Sequence, residues 1–580
     1  MPGQRTARTG DKSATSAQLR DSVEIVPQRF FPLTDLLLVQ LLVVAGMVAA
    51  RPLGFRRWHA AALGLAIAGL LLVRIRGKTL PQWAALGLGY VRERRNRFPG
   101  AAVPEPFDAE ISGGPHIGFQ WDGNTLLSLL KIEQNPQAMT VMEPGMTVSG
   151  DMLPIHLVAD CLHQFDITLE SIDVISQGAR SHGHSPIAAV YDGVLGPLPA
   201  IAARVVWVAL RFNPSQCADA VRRRGGGREG IVRTAATATR RVAHRLIEAG
   251  LRPRVMTSSE ITQATRRLSD GVNLRTVEQT WLACRHGSLQ LRTFLMRASM
   301  LTTSGVGLLW TIPSYSTTVC ISLRHDQRRD LVKIRGLARF DTHGGSRIDL
   351  PGLEQLSGRQ FSALVSTLPV PQPKRPVRAW AFGTGKTAFE NLALPASGCG
   401  QVIGADSEGR AVALTLFGPQ IRQVDICAGP HLAQQVLLRS LALGARVRVH
   451  TNRPAAWRGM ADRIGDRSLL GVAGSSRGSI QAGSDRNYSV EVFDGVAPES
   501  VRVGVTTMVL HQPSAMPSAN FDVALEALDD AAGTVRVSTH TRSSVVTMVA
   551  TDEELHYITA PSSTTGHTAR RRSRPIYAHP

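Results

Sequence analysis

Cysteine is sparse in this sequence and never paired. Cys161, Cys217, Cys284, Cys320, Cys399 and Cys427 fall singly, with no CxxC spacing, which argues against zinc and against a disulfide framework and suits a reducing compartment. Lysine is scarcer still for so basic a chain. Lys12, Lys78, Lys131, Lys333, Lys374 and Lys386 are the only ones, so the net charge of +20 rests on arginine. In an alanine- and glycine-rich chain that bias points to a high-GC genome more than to a DNA face, and no nucleic acid is expected as a partner. No G-x-S-x-G, no H-E-x-x-H and no convincing carboxylate pair is present, so the usual hydrolase chemistries lack their residues. His182-Gly183-His184 has no further ligand at metal spacing. No metal, no cofactor and no enzymatic activity are expected.

What the chain does have is two apolar runs near its start. Leu33–Ala50 is bracketed by Arg29 and Arg51; Trp58–Val73 is followed by Arg74. A bilayer-spanning helix needs ~20 mostly apolar residues, so residues 29–78 are expected to form a two-helix transmembrane hairpin. Arginine gathers on both outer flanks, which places both termini in the cytoplasm. Asp21, Glu24 and the late start of the apolar run argue against a cleavable signal peptide. Gly46, Gly64 and Gly69 are the small residues on which the spans would pack against neighbours. Trp58, Arg74, Arg76, Lys78, Trp83, Tyr90, Arg92, Arg94, Arg95 and Arg97 are the expected contacts with the membrane surface and its anionic lipid.

The remainder divides by composition. Residues 1–28 read as a polar cytosolic tail, 79–114 as a basic juxtamembrane segment and linker, and 115–366 as a first α+β domain. Residues 367–376 read as a proline-rich linker, 377–560 as a second, α/β domain, and 561–580 as a basic tail. The fold class expected is thus α/β and α+β cytosolic domains behind a transmembrane hairpin. In the first domain, Ile117–Trp121 and Asn124–Ile132 read as a hairpin turning at Asp122-Gly123. Arg204–Phe212 reads as a buried central strand. Glu229–Ala249 is a helix whose Ala235, Ala238, Val242 and Leu246 share a face and which Gly250 stops. Leu153–Phe165 has helical spacing, and strands are expected at Thr276–Ala283, Leu289–Met296, Gly307–Ile312, Thr318–Leu323 and Leu331–Phe340. In the second domain, Gln423–Ala428, His431–Leu443 and Val447–His450 make a βαβ unit and a partly parallel sheet.

Three stretches invite a chemical reading. Gly383-Thr384-Gly385-Lys386-Thr387 approaches a phosphate-binding loop, but the first glycine of G-x-x-x-x-G-K-[ST] would fall on Trp380, and the segment after it is too short for the required helix. The turn Ala428-Gly429-Pro430-His431 sits where an FtsK-type ATPase carries its loop, yet has no GK[ST]; Asp494, at the end of a strand, lacks a lysine partner and reads as a turn residue. Arg222, Arg223, Arg224 and Arg228, around three glycines at a helix start, are candidates for contact with an anion, against the plainer alternative of a glycine turn with solvated charges.

An ordered set of features carries a family resemblance. It comprises the hairpin, the arginine-rich segment, His116-Ile117-Gly118-Phe119-Gln120-Trp121-Asp122-Gly123, Leu153–Leu162 with Phe165-Asp166-Ile167, Gly196-Pro197-Leu198-Pro199, the strand around Trp207, and Arg224-Gly225-Gly226-Gly227 with Gly230 and Arg233. Together these resemble EccE, a core membrane component of the mycobacterial type VII (ESX) secretion system, over roughly Phe31–Pro371. The resemblance implies a non-enzymatic subunit of an inner-membrane translocation complex beside EccB-, EccC- and EccD-like components, with no catalytic residues to carry over. The alternative is a membrane-tethered nucleotide- or sugar-nucleotide-dependent envelope enzyme using the C-terminal α/β domain.

Overall fold

The structure is a computed structural model that describes residues 74–75, 78–95, 103–110, 116–183, 185–326, 331–344, 348–373, 376–377, 379–383, 389–474, 488–498 and 502–558, with strand 20–22 and a few isolated positions before residue 70. The hairpin expected over 29–78, with Gly46, Gly64, Gly69, Trp58 and Arg76, lies almost wholly outside the described residues, as does Arg97. Arg74 and Lys78 are described as backbone only, in a two-residue antiparallel pairing ahead of the first helix. Among the described residues, no helix is long and apolar enough to cross a membrane.

The first half of the chain contributes β1 (Phe107–Ala109), β2 (Ile117–Trp121), β3 (Leu126–Ile132), β4 (Thr140–Glu143), β5 (Met146–Ser149), β6 (Ser171–Ala179), β7 (Ala203–Phe212), β8 (Leu289–Met296), β9 (Ser316–Asp326) and β10 (Leu331–His343). Its helices include α1 (Leu80–Arg95), α2 (Pro186–Leu195), α3 (Gly227–Glu248), α4 (Ser258–Leu268) and α5 (Thr303–Leu309). The strands align as β8-β10-β9-β6-β7-β3-β2-β1, every pair antiparallel. The arginine-bounded strand β7 lies inside this sheet, with Val208 opposite Val174 of β6 and Leu130 of β3. Both faces of β7 are covered, which accounts for its unbroken apolar run. α3 covers one face with Ala235, Ala238, Val242 and Leu246, and Thr239 Oγ1 lies 2.7 Å from Ser128 Oγ of β3. α4 starts at a capping box in which Thr257 and Glu260 satisfy each other's free backbone N–H groups.

The second sheet is built from β11 (Gln401–Ala405), β12 (Ala411–Leu414), β13 (Gln423–Cys427), β14 (Val447–Thr451), β15 (Leu470–Gly474), β16 (Val490–Asp494), β17 (Thr506–His511), β18 (Val523–Asp529), β19 (Thr534–Thr539) and β20 (Ser543–Thr547), with helices α6 (Pro430–Ala442), α7 (Ala455–Ile464) and α8 (Asp552–Tyr557). Its order is β15-β14-β16-β17-β13-β18-β19-β20-β11-β12-β4-β5. From β15 to β18 the strands are parallel; from β18 onward they are antiparallel. α6 is buried from Leu432 to Ala442, as the long crossover of a parallel sheet requires.

The sheets exchange segments. β4, which precedes the proline-rich stretch by over two hundred residues, pairs with β12 and sets Val141 opposite Val412. Trp380–Gly383, which follows that stretch, pairs with β10, and Ala393–Pro395 pairs with Met152–Pro154. The proline-rich stretch is not where the sheets divide, because its start belongs to the first core: Leu368 and Val370 are buried there, and Arg211 Nη2 donates to the Val370 carbonyl at 2.8 Å. At the join, the Cys399 N–H donates to Ile201 O at 3.0 Å. Gly398 passes so close that a Cβ there would sit 2.2 Å from Ala202 O, an approach only glycine permits. The result is one interlocked body with its sheets tied at several points.

Candidate functional site

In a parallel sheet with crossover helices, ligands bind beyond the carboxyl ends of the strands, where the connections diverge. Here that place is the end of β13. The chain leaves β13 through α6 toward β14, three strands away, while β18 flanks β13 on the other side. The turn is short. Gly429 caps α6 in extended backbone, and Pro430 supplies the first helical position, where its missing N–H costs nothing. A phosphate cradle would need several turned-in N–H groups and a lysine; Ala428-Gly429-Pro430 has neither the length nor the cation. Asp530 stands at the turn, its Oδ2 3.7 Å from where a Cβ on Gly429 would lie. A carboxylate there favours the helix N-terminus and repels a phosphate. Beneath it, the buried Asp425 accepts hydrogen bonds from Gln423 Nε2 at 2.9 Å and Ser518 N at 2.6 Å.

Two strands away, Asp494 ends β16 with no exposed surface. Every direction around its carboxylate is taken. Thr451 Oγ1 donates at 2.9 Å, Trp457 Nε1 at 2.8 Å, and Arg453 approaches through Nη2 at 2.6 Å and Nε at 3.0 Å. Burial opposes ionisation of Asp494, yet the hydrogen bonds from Arg453, Trp457 and Thr451 outweigh it and hold the carboxyl below its ordinary range. The sequence reading of Asp494 as a turn residue is therefore corrected: it is the closing residue of the strand and the anchor of α7. At the position where a metal-binding carboxylate would be needed, all acceptor sites already serve the protein. Among the described residues no group of three or more His, Cys, Asp or Glu side chains could hold a metal ion.

The other sequence-predicted residues are dispersed. Arg222 pairs with Asp219, and Arg224 makes a two-pronged contact with Asp166 at 2.8 and 3.1 Å. Arg228 lies over the Phe107 ring, 5.5 Å from its centre, in a groove of about 350 Å³ that also carries Asp108, Glu110 and Glu229. Arg223 is exposed and shares no partner with them. The four arginines thus surround no common point. Trp83 and Tyr90, expected at headgroup level, have protein partners. Trp83 stacks on Trp281 with ring centres 6.1 Å apart, Tyr90 meets the same ring edge-on at 5.4 Å, and Tyr90 Oη donates to the Gln279 carbonyl at 3.2 Å. Arg92 is exposed; Arg94 and Arg95 lie in the last turn of α1. His182 is bound into the second unit through its N–H to Ala442 O at 2.8 Å, and His184 and Lys386 lie outside the described residues. Gly383 ends a strand antiparallel to β10, opposite Val332.

Two features escaped the sequence reading. Arg439, inside the apolar helix α6, forms a buried ion pair with Glu554; a lone arginine between Leu438 and Leu441 was the available signal. Arg204 is buried without a carboxylate partner among the described residues, although the sequence presents it as a charge flanking a strand.

Comparison with known proteins gives a consistent set of relatives. Residues 200–296, from β7 to the end of β8, match the family model described as "Putative type VII ESX secretion system translocon, EccE". An ESX-1 secretion system protein EccE1 of Mycolicibacterium smegmatis is 28% identical over 214 residues, 37% of this chain and 46% of the relative. An ESX-2 secretion system protein EccE2 of Mycobacterium tuberculosis is 24% identical over 510 residues, 85% of this chain and 90% of the relative. An ESX-5 secretion system protein EccE5 of Mycobacterium marinum is 24% identical over 280 residues, 45% of this chain and 66% of the relative. The chain spans less than half the length of the ESX-1 relatives it matches.

Proposed function

We propose, from the premise that this chain belongs to the EccE family of type VII secretion system components, that it is a non-enzymatic structural subunit of an inner-membrane ESX secretion complex. In this reading the segment 29–78 crosses the membrane twice with both termini in the cytoplasm, α1 joins it to the interlocked sheets, and those sheets brace EccB-, EccC- and EccD-like neighbours. Anionic lipid would meet the arginines that flank the spans.

The observation that carries the non-enzymatic part is the filled carboxyl edge of the second sheet. Asp494 is fully committed to Thr451, Arg453 and Trp457, and Asp530 stands where a phosphate would approach α6. The exchange of strands between the sheets supports a bracing role, since a body with ladders crossing its midline resists hinge motion.

The test is native purification of the full chain in mild detergent, followed by mass spectrometry of what co-migrates. Recovery in a large assembly with EccB-, EccC- and EccD-like proteins is expected; a lone or homodimeric particle sinks the scaffold reading. In the same preparation, ATP or a sugar nucleotide binding at micromolar affinity would overturn the non-enzymatic part and favour the envelope-enzyme alternative.

A further inference from the structure

α1 lacks the polar face that a helix on a protein surface carries. From Leu80 to Val91 it reads Leu-Pro-Gln-Trp-Ala-Ala-Leu-Gly-Leu-Gly-Tyr-Val, without a charged residue, and charge begins only in the final run Arg92-Glu93-Arg94-Arg95. At about 3.6 residues per turn, Trp83, Leu86, Gly87 and Tyr90 share one side. These four are half-buried, and Trp83 and Tyr90 meet Trp281 there. Ala84, Ala85, Leu88, Val91 and Arg92 share the opposite side, and every one of them is exposed. Leu88 is 73% exposed and Val91 45%. A helix that is apolar all round belongs in a core or in lipid; α1 has protein against only one of its two apolar faces.

The position of α1 identifies what lies against the other. The helix begins at Leu80, close behind Val73, the last residue of the second apolar run. Between them Arg74–Ile75 pairs antiparallel with Lys78–Thr79, so the chain turns back on itself and α1 does not prolong the run. Along its outward face the side chains pass from apolar at Ala84–Val91 to cationic at Arg92. That order suits the boundary where acyl chains give way to phosphates. The turn that holds α1 offers the same two chemistries: Leu282, next to Trp281, is 46% exposed, and Arg285 is exposed.

We propose that the outward face of α1 lies in the interfacial layer of an anionic bilayer, with Leu88 and Val91 among the upper acyl carbons and Arg92 at the lipid phosphates. This inference rests on the reading that residues 29–78 cross the membrane. It also reverses the helix relative to the sequence expectation, since Trp83 and Tyr90 face the protein and the membrane takes the opposite side. Clamped between lipid and Trp281, α1 sets the edge of the first sheet at a fixed height above the bilayer.

The experiment uses the full chain in nanodiscs of phosphatidylcholine and phosphatidylglycerol. The six native cysteines are buried, so a cysteine added at one exposed position at a time can carry an environment-sensitive fluorophore. The positions are Leu88→Cys on the outward face, Val44→Cys in the first apolar run, and Asn520→Cys on the loop after β17. Lipids with a nitroxide at a shallow or a deep acyl carbon are the quenchers. The shallow nitroxide should quench the label at position 88 at least about twofold more than the label at position 520. The deep nitroxide should favour position 44 over position 88. Arg92→Glu, or replacing phosphatidylglycerol with phosphatidylcholine, should reduce the quenching at position 88. If position 44 is quenched and position 88 is as open to water as position 520, this inference is overturned while the membrane-crossing reading stands. A label at position 88 that is shielded from water but untouched by either nitroxide also overturns it, because a protein then covers the face. If position 44 is not quenched, the membrane-crossing reading fails and this inference falls with it.

Discussion

Arg439 and Glu554 meet as an ion pair with both side chains almost wholly shielded from water, at 2.7 Å between Nε and Oε1 and 3.0 Å between Nη2 and Oε2. Nη1 donates to the Val402 and Ile403 carbonyls at 2.9 and 2.8 Å, and Nη2 also donates to the Val549 carbonyl at 2.5 Å, so one side chain joins α6, β11 and α8. Such a pair gains little over an apolar substitute, but breaking it on one side leaves a buried charge. Arg439→Met should therefore cost about 3–5 kcal/mol of unfolding free energy, and adding Glu554→Gln should restore a large part of the loss. Chemical denaturation of the single and double variants measures this, and equal stabilities would show that the two residues act separately.

Trp457 and Asp494 allow a finer cut. Trp457→Phe keeps an aromatic ring in the core and removes the indole N–H, one of three donors on Asp494 Oδ2 beside Thr451 and Arg453; the expected loss is about 1 kcal/mol. Because the folded pKa of Asp494 is depressed, its contribution is present above the unfolded carboxyl pKa and fades as pH falls through the lower folded value. Asp494→Asn should accordingly be destabilising at pH 7 and lose most of that difference in acid. A penalty that stayed constant down to the acid limit would mean that packing, not charge, is responsible.

One ring, that of Trp281, receives two aromatic side chains of α1, Trp83 and Tyr90. Such aromatic pairs contribute about 0.5–1.5 kcal/mol each beyond their buried area. Trp281→Ala should raise amide hydrogen exchange across residues 80–95 by about tenfold. Exchange in β7 should stay unchanged. If α1 exchanged no faster, its position would depend on other contacts.

Much of the fold was legible where period and length agree. The turn at Asp122-Gly123, the central strand around Trp207 and the long helix α3 each carry a local pattern that tertiary packing reinforces. The failures have physical causes. Gly307–Ile312 reads as a strand, but Thr303–Leu309 is helix α5, because the Thr302 hydroxyl accepts the Gly305 N–H at 3.0 Å and caps it; a short apolar run cannot separate the two periods. Leu153–Phe165 forms helix only over Ile155–Asp160, and Phe165 turns out exposed in a left-handed conformation at φ 55°. The strand expected at Thr276–Ala283 shrinks to Glu278–Gln279. The partnership of β4 with β12 has no local signature at all, since it depends on which sheet edge was left open. At the site level, Asp494 could be singled out by its place at a strand end, whereas the isolation of Arg204 depends on Trp310 and Pro395, both far away in sequence.

A last prediction concerns pH. Arg339, with no exposed surface, is held by Asp341 through its Nη2 at 2.9 Å and stands 3.7 Å from Asp270. Ser316 Oγ donates to Asp341 Oδ2 at 2.8 Å and lies 3.0 Å from Asp270 Oδ2. One guanidinium thus serves two carboxylates. Burial first, and then the neighbouring Asp341 charge, push the Asp270 carboxyl well above its ordinary value. An acid that binds its proton more tightly when folded contributes stability that is complete below its unfolded pKa. That stability is lost as pH rises through the folded pKa. Asp270 should therefore make the protein progressively less stable between about pH 4, the ordinary carboxyl value, and the mildly alkaline range. Asp270→Asn stays neutral throughout and should be more stable than the parent above pH 8 by on the order of 1 kcal/mol, with the two curves converging toward pH 4. Urea midpoints at a series of pH values give both curves. A gap of constant size would mean that Asp270 stays ionised in the folded protein and that Arg339 neutralises both carboxylates at once.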